Sequence, residues 1–160
     1  MTEQFSDSHG IRRATADDAE EVAHLLDAFN REFDTPTPGI AALADRWRQH
    51  ASSESLIAII AGRPGIAIAI ISFRPNVWSE GPVALLDELY VAPAQRNQGI
   101  GSAVLASVEQ CCKERQVGLI EINVDIGDTD ARRFYERHGF SAIEPDTGEH
   151  ALYYHRAIDP

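Results

Sequence analysis

Residues 86–101 read Leu-Asp-Glu-Leu-Tyr-Val-Ala-Pro-Ala-Gln-Arg-Asn-Gln-Gly-Ile-Gly and join a strand-like run to a glycine-rich turn. The apolar run at residues 83–91 predicts a strand, which Pro93 ends. Apolar residues at helical spacing predict a helix at residues 100–115, which begins inside the turn. A turn of this kind often holds phosphate, because glycine lets the backbone approach an anion and the first helical amides point at it.

The glycines of this turn match neither of the two best-known phosphate-binding patterns. A Rossmann fingerprint needs G-x-G-x-x-G, and a P-loop needs G-x-x-x-x-G-K-[ST]. This turn supplies Gly99 and Gly101 only, with no lysine after them. What remains is R-x-x-G-x-G, from Arg96 to Gly101. By itself the hexapeptide is equally compatible with a tight turn whose glycines only satisfy backbone dihedral angles.

The surroundings of the turn make the pattern specific. Residues 86–101 closely resemble the pyrophosphate-binding segment of the GNAT superfamily, the acyl-CoA-dependent N-acyltransferases. Residues 131–140, Ala-Arg-Arg-Phe-Tyr-Glu-Arg-His-Gly-Phe, resemble the second motif of that superfamily, A-x-x-[FL]-Y-x-x-x-G-F. One predicted helix and one predicted strand separate the two motifs, as the superfamily requires.

The predicted elements follow the order β-α-α-β-β-β-α-β-α-β-β, which describes an α+β or three-layer α/β domain with helices on both faces of a sheet. The resemblance implies that the sheet is mixed and mostly antiparallel. Thr15 and Asp18 offer a cap for the first helix. The predicted strands lie at residues 10–14, 56–61, 66–73, 83–91 and 119–124, with a final strand region from residue 140 that includes 152–155; after the first helix, the predicted helices lie at residues 40–51, 100–115 and 129–138.

The resemblance implies that the ligand is coenzyme A and that acetyl-CoA is the co-substrate. Backbone amides of the turn would hold the pyrophosphate, and the backbone of residues 89–91 would run along the pantetheine arm in a strand that bulges. The Arg96 and Gln98 side chains have two interpretations, a cofactor contact or a solvated rim. Asp128 stands where the superfamily often has a cofactor-binding asparagine, and we favour a helix cap there because a carboxylate cannot donate that hydrogen bond. The implied cofactor-binding residues are Leu89, Tyr90, Val91, Arg96, Asn97, Gln98, Gly99, Ile100, Gly101, Ser102, Asp128 and Tyr135.

The resemblance also implies the catalytic residues. Tyr135 would lie near the thioester sulfur and hydrogen-bond the departing thiolate, with full proton transfer as the alternative. Asp87 and Glu88 are the candidates for the base that an amine nucleophile needs, since a primary amine of pKa about 10.4 is mostly protonated at neutral pH. Successive strand residues face opposite sides, so only one should reach the substrate. We choose Glu88, with Asp87 close behind.

The acceptor is expected to be a small, cationic amine. Specificity in the superfamily usually comes from the first two helices, their connection and the loop before the central strand. Two local strings, residues 124–130 and 26–33, also resemble aminoglycoside 3-N-acetyltransferases. A protein amine, a non-catalytic acyl-CoA-binding or regulatory module, and a nucleotide-binding switch are the alternatives. The acids and aromatics of the specificity segments are Glu32, Asp34, Trp47, Trp78 and Glu80, of which Trp47 equally suits the core.

Composition bounds the remaining expectations. The 160 residues suit a single domain, with residues 1–9 expected to be flexible. A net charge of −11 argues against nucleic-acid and anionic-membrane partners. The adjacent Cys111 and Cys112 suit neither a disulfide nor a metal pair, so we expect reduced thiols, one packed and one exposed, in a cytoplasmic protein without a metal. Many relatives form homodimers, but no stretch demands it.

Overall fold

A computed structural model of the chain describes residues 9–159. The residues up to Ile122 form one compact unit, and the residues from Asn123 form a second. The expected flexibility of the N-terminus concerns residues 1–8 almost entirely, which lie outside the described part of the chain. That expectation and the single-domain prediction both stay predictions. None of the described helices is long and apolar enough to cross a membrane.

The first unit is built on a five-stranded sheet in the order β1-β2-β3-β4-β5. Neighbouring strands from β1 to β4 are antiparallel, whereas β4 and β5 are parallel. A parallel neighbour needs a crossover connection, and a helix provides it here. The prediction of a mixed, mostly antiparallel sheet is therefore confirmed. The strands are β1 (Arg12–Arg13), β2 (Leu56–Ala61), β3 (Ala67–Arg74), β4 (Val83–Val91) and β5 (Leu119–Ile122).

Three helices cover the two faces of this sheet: α1 (Ala19–Glu32), α2 (Ile40–His50) and α3 (Ile100–Glu114). Ala58 and Ile60 of β2 belong to the core cluster that α1 and α2 form with the sheet. Ile57 and Ile59 are equally buried, and the alternation of strand side chains turns them to the opposite face, where α3 packs. The prediction of helices on both faces is therefore confirmed.

Local signals in the sequence explain where α1 and α2 lie. Thr15 forms a capping box with Asp18, whose Oδ2 accepts from the Thr15 amide over 2.7 Å, and α1 follows directly at Ala19. Trp47 of α2 is buried, and its indole donates to the Thr15 carbonyl over 2.8 Å. Trp47 is thus a core residue that ties α2 to the start of α1.

Both cysteines of α3 are buried, so the expectation that one is exposed is wrong. They lie on the helix that fills the crossover between β4 and β5, and its apolar stripe is wide enough to include two successive residues. Burial is the main cause that raises the pKa of Cys112, to about 12. A thiol of this kind stays protonated and behaves as a small apolar side chain.

The second unit contains α4 (Thr129–Arg137) and lacks the predicted last strands. Its only β-pairing among the described residues is an isolated bridge between Ile143 and His150. Residues 152–155 have no regular structure, and their side chains are exposed. The prediction of a strand there is wrong, because an alternating apolar segment forms a strand only where a neighbouring strand completes its hydrogen bonds.

Candidate active site

The central strand β4 contains a β-bulge at Asp87. Ile70 of β3 lies opposite Glu88, whereas the next residue, Ile71, lies opposite Leu86, so Asp87 is the extra residue. A bulge bends its strand and redirects a side chain. The bulge that the resemblance implied for this strand is therefore present, immediately before Glu88.

The bulge places Asp87 and Glu88 on one face of the sheet. Ser72 Oγ donates to Asp87 Oδ2 over 2.7 Å. Ser72 and Ile70 share a face of β3, because strand side chains alternate, and Ile70 lies opposite Glu88. The bulge interrupts the alternation on which the expectation rested that only one of the two acids reaches the substrate, and which of them does so stays a prediction.

Glu88 lies in a partly buried environment next to a second carboxylate. Its side chain is half-buried, whereas Asp87 is exposed. Burial raises the pKa of Glu88 above the usual glutamate range, and the negative charge of Asp87 raises it further. A carboxyl group whose pKa is raised is a stronger base than an ordinary glutamate and is better matched to take a proton from an amine.

The strands β4 and β5 separate just before the bulge. Their parallel ladder ends at the pair Leu86–Ile122, while β4 continues to Val91 against β3. Within residues 9–159, no strand pairs with the other side of residues 87–91. Backbone groups there can bind an extended ligand as an added strand would. This is the side on which the pantetheine arm was expected along residues 89–91.

The turn after β4 has the backbone geometry of an anion-binding loop. A short 3₁₀ turn at Pro93–Gln95 is followed by Asn97 with φ 60° and by Gly99 with φ 79°, both left-handed. Gly99 is the N-cap of α3 and contributes no side-chain cap to the first helical amides. A Cβ atom built on Gly99 would meet nothing within 4 Å, so open space lies above this backbone. The first-turn amides of a helix have no partners within the helix.

Arg96 makes contacts that neither interpretation of its side chain anticipated. Its Nη1 and Nη2 donate to the two carboxylate oxygens of Glu32 on α1, each over 2.7 Å. Its Nε donates to the Val91 carbonyl over 2.9 Å, and its guanidinium lies 5.7 Å from the centre of the Tyr90 ring. Gln98 turns back within the loop, where its amide donates to the Ala94 carbonyl over 3.3 Å.

The second unit holds the other predicted site residues. Asp128 caps α4, since its Oδ1 accepts from the Ala131 amide over 3.0 Å, as we favoured from the sequence. Tyr135 is half-buried, and its ring lies edge-on to Phe134 and Phe140 with centroids 5.2 and 5.6 Å away. The aromatic residues of the second motif thus hold the ring of Tyr135 within its own unit.

The connection between α1 and α2 is tied closely to α1. Asp27 is a buried carboxylate that accepts from Arg31 Nε over 2.6 Å and from Thr37 Oγ1 over 2.7 Å. These two hydrogen bonds hold the pKa of Asp27 below its usual value, and the one from Arg31 has the larger effect. Of the expected specificity residues, Trp47 lies in the core and Trp78 is 92% exposed.

One residue of this region, Ser72, was missed in the sequence, and the contact made by another, Glu32, was not expected. Ser72, which contacts Asp87, carries no motif, and only the register of the bulge brings the two together. Glu32 was considered for the acceptor, whereas the structure gives its carboxylate to Arg96. A sequence cannot signal either contact, because the partners are 15 and 64 residues apart.

The fit to coenzyme A rests on three observations in the first unit. The left-handed Gly99 leaves open space over the turn, α3 begins without a side-chain cap, and no strand in the described part of the chain pairs with the free side of residues 87–91. An anion binding to a chain of net charge −11 needs local positive potential, which a helix N-terminus supplies. Within residues 9–159, no three His, Cys, Asp or Glu side chains group as a metal site would require.

Comparison with known proteins identifies the family. The model of the acetyltransferase (GNAT) family matches residues 19–140. A crystal structure of an Arthrobacter sp. FB24 protein assigned as an acetyltransferase is 48% identical, with a TM-score of 0.89 over 97% of this chain and 99% of that one.

Two relatives have named activities. The aminoalkylphosphonate N-acetyltransferase of Salmonella typhimurium is 28% identical over 81% of this chain and 83% of its own length. The aminoglycoside N(6′)-acetyltransferase type 1 of Serratia marcescens is 28% identical over 49% of this chain and 56% of its own length. The second is consistent with the aminoglycoside resemblance seen in the sequence, although its name gives a different amine position. The chain belongs to the acetyltransferase (GNAT) family, whose enzymes use acetyl-CoA, and it is an N-acetyltransferase.

Proposed function

We propose that this protein transfers the acetyl group of acetyl-CoA to an amine of a small, cationic acceptor. The observation that carries the proposal is the pair of carboxylates at the β4 bulge, where Asp87 and Glu88 share a face beside the unpaired side of the strand. Relatives that act on small amines, aminoglycosides among them, support the acceptor class.

The residues of the first unit have separate roles in this proposal. Acetyl-CoA supplies an acetyl group activated as a thioester. The turn from Arg96 to Gly101 and the start of α3 bind the pyrophosphate through backbone amides, and Ser102 adds its hydroxyl. The backbone of Leu89–Val91 aligns the pantetheine arm, and an amide beside the bulge polarises the acetyl carbonyl.

Glu88 is the proton acceptor of the proposed reaction. Glu88 takes one proton from the bound ammonium group, directly or through water, and the neutral nitrogen then forms a bond with the acetyl carbon. The carbon–sulfur bond breaks, and the second proton that the nitrogen loses neutralises the departing thiolate. Tyr135 of the second unit hydrogen-bonds the departing sulfur, the role that the superfamily resemblance assigns to it. Asp87 keeps the site anionic, which favours a protonated amine at the moment of binding.

The charge of the site distinguishes between the acceptors that the relatives suggest. An aminoalkylphosphonate carries an anionic group, whereas an aminoglycoside carries several ammonium groups. Two carboxylates on one face repel the first and attract the second. We therefore propose a polyamine or an aminoglycoside-like amine in preference to an aminoalkylphosphonate.

The test is an acceptor screen in which the release of coenzyme A thiol is followed at fixed acetyl-CoA. The panel contains aminoglycosides, linear polyamines, aminoalkylphosphonates, amino acids and a lysine peptide. We expect turnover that depends on the acceptor and is greatest with a polycation. The Glu88→Gln variant serves as the matched blank, because it keeps the size of the side chain and removes the base.

Two results would count against the proposal in different ways. Coenzyme A binding without turnover on any amine would contradict the enzymatic assignment and favour a non-catalytic module. Turnover confined to the lysine peptide would keep the reaction but replace the small acceptor with a protein amine.

A further inference from the structure

Three of the five N–H groups of the Arg96 guanidinium are hydrogen-bonded within the protein itself. Glu32 binds it through two parallel hydrogen bonds of 2.7 Å, and the Val91 carbonyl accepts its Nε–H over 2.9 Å. The fork of an arginine matches a carboxylate in this bidentate way, and such paired hydrogen bonds are among the stronger ones at a protein surface.

The neighbours of the pair restrict it further. Tyr90 is buried, and its ring stacks on Phe29 of α1 with centroids 5.2 Å apart. The guanidinium carbon of Arg96 lies 5.7 Å from the centre of the same Tyr90 ring. The hydrogen bond from Arg96 is the main cause that lowers the pKa of Glu32, so the carboxylate is charged at neutral pH. The side chains of Glu32 and Arg96 are 27% and 39% exposed, so part of the pair is shielded from water.

We propose that Arg96 is a positioning residue and not a phosphate ligand: through Glu32 and Val91 it fixes the pyrophosphate turn to the end of β4 and to the C-terminal end of α1. The inference rests on the proposed binding of coenzyme A by this turn. It separates the backbone of the turn, which meets the anion, from the Arg96 side chain, which keeps the turn in shape.

The pair also links the two sides of the proposed site. Glu32 is the last residue of α1, and the connection to α2 begins at the next residue. That connection is fastened to α1 by the Asp27–Thr37 hydrogen bond and by Asn30 Nδ2, which donates to the Pro36 carbonyl over 2.9 Å. The segment from which acceptor specificity is expected therefore shares a hydrogen-bonded anchor with the cofactor turn.

The deciding experiment measures coenzyme A binding to the full chain by calorimetry, because the two roles of Arg96 predict opposite results for Glu32→Gln. If Arg96 positions the turn, Glu32→Gln weakens binding by about threefold to tenfold, since the turn loses its anchor. If Arg96 binds phosphate, the same change frees an arginine and removes a negative charge, so binding tightens.

The two roles of Arg96 also predict different results for Arg96→Lys. A lysine keeps the positive charge and is a good phosphate ligand, but it cannot bind a carboxylate in a fork and a carbonyl at the same time. Positioning predicts that Arg96→Lys weakens coenzyme A binding about as much as Arg96→Gln, and that Glu32→Gln adds little to either. Phosphate binding predicts that Arg96→Lys stays close to the wild type.

Glu121→Gln is the matched control. Glu121 forms a surface pair with Arg74 at 2.8 Å, so its substitution makes the same change in net charge and also breaks one arginine pair. We expect its coenzyme A affinity to equal that of the wild type. Tighter binding by Glu32→Gln than by Glu121→Gln, or full affinity in Arg96→Lys, would overturn the inference alone. Absence of coenzyme A binding in the wild type would overturn the proposed function and this inference with it.

Discussion

The hydroxyl of Ser72 donates a hydrogen bond of 2.7 Å to Asp87, and this contact holds the bulged residue of β4 on the face that carries Glu88. A regular strand would have sent the two acids to opposite sides. The site therefore owes its second carboxylate to one extra residue in the ladder. Because Asp87 is held near Glu88, its negative charge affects the pH dependence of the proposed reaction.

Asp87→Asn is expected to move the acidic limb of the kcat profile to lower pH. Burial is the larger cause of the raised pKa of Glu88 and the charge of Asp87 is the smaller, so the variant removes part of the rise. A carboxyl group acts as a base only when it is ionised. The midpoint of the acidic limb should therefore move to lower pH, while staying above the pKa of an ordinary glutamate because the burial of Glu88 remains. Ser72→Ala should shift it the same way, because an unanchored Asp87 spends less time beside Glu88.

The measurement is the initial rate of thiol release with saturating acceptor across the pH range. Asp45→Asn provides the control, since Asp45 is an exposed acid of α2 whose loss makes the same change in net charge. A limb that moves equally in both variants, or moves to higher pH in Asp87→Asn, would contradict the coupling between the two carboxylates.

Glu88→Gln is expected to abolish most activity and to stabilise the fold. Loss of a general base lowers the rate by about 100-fold or more. A carboxyl group with a raised pKa in the folded state stabilises the fold only while protonated, and this contribution is lost as the pH rises through that pKa. Glutamine avoids the cost of burying the charge. The Tm at pH 7 should thus rise in the variant, and the difference should vanish at acidic pH.

Thermal melts of the two proteins at several pH values, beside their rates, check this prediction. A fall in both Tm and rate at pH 7 would instead give Glu88 a structural role.

The sequence was sufficient to predict the helices and strands around the site, and insufficient to predict the side-chain contacts between them. The bounds of β4 were predicted without error, because the run is apolar, long and ended by a proline. The start of α3 at Ile100 followed in the same way from the glycines before it. The bulge was expected from the resemblance alone, and its position was not, since one extra residue in a ladder leaves no signal in composition or periodicity.

The end of the chain shows the opposite error. The segment at 152–155 has the residue types of a strand, but strand propensity reflects packing on a sheet more than an intrinsic backbone preference. No described strand of its own unit lies beside it, so the pattern alone misled.

Gly81→Ala is expected to destabilise the fold without a direct effect on the chemistry. A Cβ atom on Gly81 would overlap the carbonyl oxygen of Gln116, which is backbone and cannot move aside cheaply. Overpacking of this kind costs about 1–3 kcal/mol, a fall in Tm of several degrees. Gly118→Ala is the matched control, because nothing lies within 4 Å of its Cβ position. Equal Tm values for the two variants would show that the loop before β4 does not rest on Gln116.

Tyr135→Phe is expected to lower kcat by about tenfold to 100-fold and to leave the Kd of coenzyme A nearly unchanged. The change removes the hydroxyl that the proposal assigns to the departing sulfur, while the contacts of the ring with Phe134 and Phe140 remain. Steady-state rates and calorimetry on the same preparation separate the two effects. A rate equal to that of the wild type would remove Tyr135 from the chemistry.

Gly99→Ala is expected to weaken coenzyme A binding beyond what its effect on stability explains. An alanine at φ 79° carries a strain of about 1–2 kcal/mol, although nothing lies within 4 Å of the new Cβ atom. The open space over Gly99 is where the turn would meet the pyrophosphate, so the methyl group blocks the anion as well as straining the backbone.

Gly148→Ala is the matched control, because Gly148 has φ 73° and equally open surroundings in the second unit. We expect a similar fall in Tm for both variants, measured by thermal melts, and a loss of coenzyme A affinity of about tenfold or more in Gly99→Ala alone. Equal affinities in the two variants would mean that the cofactor does not approach the N-terminus of α3.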